Sequence, residues 1–99
     1  MESKVEKNSA RLIPGEELDL TNINELENEF KKLVEQGIKE IVLDFKNLKK
    51  IDSSGLGKVL HFNKVIEDKG GNLIIENINS EYVERVFKMI EINDIIEIK

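Results

Sequence analysis

At 99 residues the chain can enclose one modest core but not two, so a single domain spanning residues 1–99 is expected. Fifteen lysines and arginines against twenty aspartates and glutamates leave a net charge of −5, with the two signs interspersed; without a concentrated basic surface, a direct nucleic-acid partner is disfavoured. Cysteine is absent, which removes disulfides, zinc knuckles and thiol chemistry. No apolar run approaches the roughly 20 residues of a membrane span, and the charged start MESKVEKNSA is unlike a secretory leader; a cytoplasmic protein with no membrane partner is expected.

Lys4 to Glu6 and Ala10 to Ile13 read as short strands around KNS, adding as an antiparallel edge. Pro14 and Gly15 then break the chain before EELDL, where Leu18 and Leu20 alternate with charge as in a half-buried strand. From Asn22 the spacing is helical, with Ile23, Leu26, Phe30, Leu33 and Val34 on one face, a capping box of Asn22 with Glu25, and Gly37 as the stop. IVLDF, residues 41–45, is nearly continuous in apolar residues and reads as a central strand buried on both faces.

A second helix is predicted from about Ser54 to Lys69, closed by Gly70 and Gly71, with Leu56, Val59, Leu60, Phe62 and Ile66 on its core face. Asn63 falls inside that arc and reads as a satisfied polar group near the sheet edge. NLIIEN supplies another strand, a third helix from about Ser80 to Glu91 buries Val83, Val86, Phe87 and Ile90, and IIEI closes as a last strand. This alternation predicts an α/β fold: a small mixed, mostly parallel β-sheet of four to five strands covered by three or more helices.

Chemistry concentrates in IDSSGLG, residues 51–57, where a strand end turns into the second helix. Sites in open α/β sheets gather beyond the carboxyl ends of strands, where helix N-termini present free N–H groups and a positive dipole end. A phosphate-binding loop ending in Gly57 and Lys58 would need glycine at the position held by Asp52. A serine hydrolase needs a base, and the one histidine, His61, lies two helical turns beyond Ser53; the G-x-S-x-G elbow is missing as well. Asp19, Asp44 and Asp52 as metal ligands compete with the plainer reading of solvated strand ends. Asp52, Ser53 and Ser54 could simply cap the helix, and Gly55 and Gly57 let it pack close to the sheet. Two hydroxyls and two glycines exceed what one cap needs, however, and an uncrowded serine is what a protein kinase can reach.

IVLDFKNLKKIDSSGLGKVL resembles the central segment of the STAS domain, shared by anti-sigma factor antagonists and sulfate transporters, and specifically that of the bacterial antagonists. PGEELDLTNINELENEF and KGGNLIIENINSEYVERVFKMIEINDIIEI extend the resemblance on both sides. What it implies is a switch protein that is not an enzyme and carries no catalytic residue, cofactor or metal of its own. Such a protein binds an anti-sigma factor that is itself a serine kinase, and so releases a sigma factor. The kinase phosphorylates the serine after the motif aspartate, and a metal-dependent serine phosphatase reverses this. On this chain the phosphorylated residue is then Ser53, with Asp19, Asp52, Ser54, Gly55, Leu56, Gly57 and Lys58 on the partner-binding surface. Tyr82 and Met89 on the third helix, and Lys58, His61 and Val65 on the second, read either as extensions of that surface or as ordinary boundary residues. GEELD has one glutamate more than the common Gly-Glu-Leu-Asp, leaving the register of Glu16 and Glu17 open; Lys58 stands where an apolar or small residue is usual, and Glu91 where the third helix often closes on glycine. An alternative is a STAS subunit of a stress-sensing scaffold or of a lipid-transport ATPase, without a phosphorylation cycle.

Overall fold

The computed structural model describes residues 1–99. Its elements in chain order are β1 (Glu2–Val5), β2 (Ser9–Ile13), β3 (Glu17–Leu18), α1 (Ile23–Glu35), β4 (Glu40–Asp44), β5 (Lys50–Ile51), α2 (Ser53–Asp68), β6 (Asn72–Glu76), α3 (Glu81–Met89), a 3-10 turn at Ile92–Asp94, and β7 (Glu97–Ile98). The main sheet has the order β1-β2-β4-β6-β7. β1 runs antiparallel to β2, and every other pair in the sheet is parallel. IVLDF is thus the central strand, and the N-terminal strands form the antiparallel edge. β3 and β5, two residues each, pair in parallel outside the main sheet.

Alternate strand residues feed one core: Ala10, Leu12, Ile41, Leu43, Leu73 and Ile75 from the sheet meet the apolar stripes of all three helices. The helices therefore share one sheet face. Phe30 of α1 stacks on Phe62 of α2 with ring centroids 4.3 Å apart, and Phe45 after β4 meets Phe87 of α3 at 6.1 Å. α1 and α2 both end before a left-handed glycine, Gly37 and Gly70, each with φ 82°.

The opposite sheet face is closed by charge rather than by helices. Arg11 on β2 reaches across it, donating to Asp44 Oδ2 on β4 at 2.9 Å and to Glu76 Oε1 on β6 at 2.8 Å. Asp44 Oδ1 accepts from Asn77 Nδ2 at 3.0 Å and from the Lys46 N–H at 3.1 Å. Desolvation opposes the Asp44 charge, but the bonds from Asn77, Lys46 and Arg11 outweigh it and hold the carboxyl below its usual pKa. Val42 and Ile74, flanked by Lys4, Arg11, Glu40 and Lys99, are buried on this face without a helix over them.

Several expectations are corrected. Leu18 is buried, but Leu20 is exposed, because β3 ends at Leu18 and the chain turns. The Asn22–Glu25 capping box does not form: Asn22 makes no side-chain cap bond to α1, and instead accepts from the Asp19 N–H and donates to the Glu17 carbonyl. α2 begins at Ser53 rather than Ser54. Ile90 is exposed, since α3 stops at Met89 and Glu91 turns left-handed with φ 53°. Asn63, by contrast, is satisfied as expected, donating to Glu67 and to the Ile95 carbonyl just before the edge strand β7.

Candidate functional site

The short β3–β5 pair positions the corner. Pairing of Leu18 with Ile51 brings the start of α2 against the β3–α1 turn, and the Asp52 N–H donates to the Leu18 carbonyl at 3.1 Å. Asp52, extended at ψ −178°, is the α2 N-cap: its Oδ1 accepts from the Gly55 N–H at 2.9 Å, while its Oδ2 accepts from the Leu20 N–H at 3.3 Å. One carboxylate thus ties the helix to the neighbouring turn. The Leu56 N–H bonds the Asp52 carbonyl at 2.9 Å, so of the first-turn donors those of Ser53 and Ser54 are left turned out of the helix.

Because Asp52 supplies the cap, neither serine is needed for it. Ser53 is exposed at the first helical position, and Ser54 is half-buried. Gly55 is buried, and a Cβ there would lie 2.6 Å from the Leu18 carbonyl oxygen. Gly57 faces open space, with nothing within 4 Å of an added Cβ. The two glycines therefore have different causes: the first is demanded by the approach of β3, the second by no contact within the chain.

Asp19 joins the same corner. With Glu17, Leu18, Lys50, Ile51, Asp52 and Tyr82 it lines a shallow depression beside Ser53. Its Oδ1 accepts from the Thr21 hydroxyl at 2.6 Å and the Thr21 N–H at 2.9 Å, and these bonds hold its carboxyl below the usual aspartate range. Leu56 is half-buried, packed against the core. Lys58 is engaged within the chain, pairing with Glu27 of α1; that bond lowers the Glu27 pKa and links the two helices. Glu17 is the residue in the strand and pairs with Lys50, whereas Glu16 precedes it and its carbonyl accepts from Lys49 and Lys50.

Tyr82, read from sequence only as a helix-flank residue, belongs to this depression, with its hydroxyl 3.5 Å from the Ile51 carbonyl. Sequence reasoning missed Leu20, Glu17 and Lys50 as neighbours of the corner, because two-residue strands leave no periodic signal. Met89, at the far end of α3, is exposed and outside the depression, and Val65 and His61 lie further along α2. His61 is eight residues beyond Ser53, about 12 Å at the rise of an α-helix, so it cannot act as its base. Asp19, Asp44 and Asp52 each hold protein donors rather than converging on a point. No helix is long and apolar enough to cross a membrane.

The STAS domain family matches this chain over residues 4–99, and the chain belongs to that family. It is similar to the anti-sigma-B factor antagonist of Bacillus subtilis, with 30% identity over 95 residues covering 96% of this chain and 85% of the relative. The Thermotoga maritima protein TM1081, described as a candidate anti-sigma factor antagonist, has a crystal structure superposing with a TM-score of 0.89 at 28% identity, covering 98% of this chain and 83% of that one. The anti-sigma factor antagonist SpoIIAA in its unphosphorylated form shares the fold, with a TM-score of 0.83 at 22% identity over 99% of this chain and 86% of that one.

Proposed function

We propose that the 99 residues act as one STAS unit working as an anti-sigma factor antagonist: unphosphorylated, it binds an anti-sigma factor serine kinase and so releases a sigma factor, and phosphorylation of Ser53 ends the complex. A serine phosphatase resets the cycle in the cytoplasm, with no direct role for nucleic acid or membrane. The carrying observation is that Ser53 is exposed at the first position of α2 while its neighbour Asp52 makes the cap, which leaves the serine free of a structural task. The docking surface assigned here is Ser54, Leu56 and exposed Gly57 along the helix start, with Asp19, Asp52 and Gly55 shaping the corner and Lys58 fixing α2 against α1.

A phosphate at Ser53 adds about −1.5 to −2 charges. The depression that Asp52 lines carries Glu17 and Asp19 as well, against the single cation Lys50, so it offers no arginine cluster to fold the phosphate back. The modification then acts mainly on the partner: burying a dianion without a matching cation costs several kcal/mol, and about 4 kcal/mol weakens binding roughly a thousandfold. The test is to mix the protein with ATP and the cognate anti-sigma kinase. One phosphate should enter the native chain and none the Ser53→Ala variant, and the phosphorylated form should lose the kinase. A complex equally tight with phosphate in place would refute the switch, while stable binding to another assembly without phosphate transfer would favour the scaffold or transport-subunit reading.

A further inference from the structure

We propose that β1 is a pairing edge through which two copies of this chain form a two-fold dimer with one continuous sheet. β1 is the outermost strand of the main sheet, and all four of its residues are exposed. Its backbone phase is fixed by the hairpin. The Glu6 N–H donates to the Ser9 carbonyl at 2.8 Å, in the same register that sets Glu2 opposite Ile13 and Lys4 opposite Arg11. In an antiparallel pair, hydrogen-bonded and non-hydrogen-bonded positions alternate. Even-numbered residues of β1 therefore direct their backbone groups at β2, while Ser3 and Val5 turn N–H and C=O toward the open edge.

A second copy can add only where outward-facing residues oppose each other, which leaves three close registers. With Ser3 opposite Val5, Lys4 meets Lys4 and Glu2 meets Glu6, so every charged pair repels. With Val5 opposite Val5, the pairing runs into Glu6 and Lys7, which lie beyond the strand end at Val5. With Ser3 opposite Ser3, the strand pairs over its length and Glu2 faces Lys4 of the partner subunit twice over. That register also sets Val5, 54% exposed, opposite Met1, 43% exposed. Neither Glu2 nor Lys4 has an ion-pair partner within the chain among the nine ion pairs present. Charges on an edge strand ordinarily block sheet extension; here their alternation blocks the neighbouring register and favours one, which makes the second copy the occupant the edge fits.

Sedimentation velocity across a range of protein concentrations, at low and high salt, tests the dimer. The native chain should associate with rising concentration and less so in high salt. Lys4→Glu and Glu2→Lys should each weaken self-association by about tenfold or more, because each turns both cross-strand pairs into repulsions. The Glu2→Lys/Lys4→Glu double variant should recover it, and the two single variants mixed should form a heterodimer. Since the chain has no cysteine, Ser3→Cys should yield a disulfide-linked dimer under mild oxidation where Val5→Cys does not. These positions are exposed, so circular dichroism should show an unchanged fold. A native chain that stays monomeric at all concentrations, or a dimer indifferent to the charge reversals, would overturn the proposal.

Discussion

Gly55 and Gly57 lie two residues apart on one helix, and the structure assigns their replacement by alanine opposite signs. At Gly55 the new methyl would sit 2.6 Å from the Leu18 carbonyl oxygen and 3.0 Å from Ile51 Cγ1, so β3 would have to retreat by about 0.8 Å to restore a 3.4 Å contact. The same carbonyl accepts the Asp52 N–H at 3.1 Å, and retreat stretches that bond as well. Overpacking costs about 1–3 kcal/mol and a weakened hydrogen bond up to about 1, while alanine returns about 1 kcal/mol of helix propensity. The net is a destabilisation of up to about 3 kcal/mol. At Gly57 nothing opposes the methyl, so the propensity gain stands alone at about 0.5–1 kcal/mol. Urea unfolding and thermal melts read both, with each kcal/mol moving Tm by roughly 4–8 °C in a domain of this size. Shifts of the same sign, or a Gly55→Ala chain as stable as the native one, would refute the assignment. Gly57→Ala is also informative for binding: being more stable, it can lose affinity for an anti-sigma kinase only through the docking surface.

Acid should weaken the outer sheet face first. The Asp44 pKa is lower in the folded chain than in the unfolded one, so its contribution is present above the ordinary aspartate range, near pH 4, and fades as pH falls through the folded value; urea midpoints between about pH 5 and pH 2 should decline less steeply in Asp44→Asn than in the native chain. Glu91→Gly should raise Tm by a few degrees, since a left-handed residue with a side chain costs about 1–2 kcal/mol and glycine's extra unfolded-state entropy removes only part of that relief; an unchanged or lower Tm would contradict the strain. Phosphorylation of Ser53 should move Tm by no more than a few degrees, because about 0.3–1 kcal/mol of helix-dipole stabilisation opposes a repulsion from Asp52 of about 1 kcal/mol per unit of phosphate charge at contact distance in water; amide shifts spreading through all three helices would show that the effect is not local.

The long elements were legible because their apolar spacing is local. Ile23, Leu26, Phe30 and Leu33 mark α1 whatever lies opposite them, and IVLDF and NLIIEN carry enough apolar residues to mark parallel strands. What escaped depends on partners distant in sequence. EELDL alternates like a strand, yet only Glu17 and Leu18 find a partner, at Lys50 and Ile51, so Leu20 emerges into solvent. Asp44 reads as a solvated strand end, yet it is buried, and its burial is explained only once Arg11 reaches it from the middle of β2 and Asn77 from just beyond β6. Likewise the Asn22–Glu25 spacing satisfies the capping pattern, but the Asn22 side chain closes the turn behind it instead.

At the corner itself, the motif letters point to Asp52, Ser53 and Gly55 without giving their division of labour. Asp52 holds two N–H groups from segments far apart in the chain, Leu20 before α1 and Gly55 inside α2, and so over-determines where the first turn of α2 sits. Ser53 inherits that fixed position while taking no part in making it. A group added to its hydroxyl need break neither Asp52 bond, and it projects beside a carboxylate each of whose oxygens already holds a backbone N–H. The corner can therefore change charge without changing shape, and a partner that docks on α2 would meet the same surface with a different potential. That separation of a rigid cap from an idle neighbouring hydroxyl is the physical reason for reading this corner as a switch rather than as a catalytic centre.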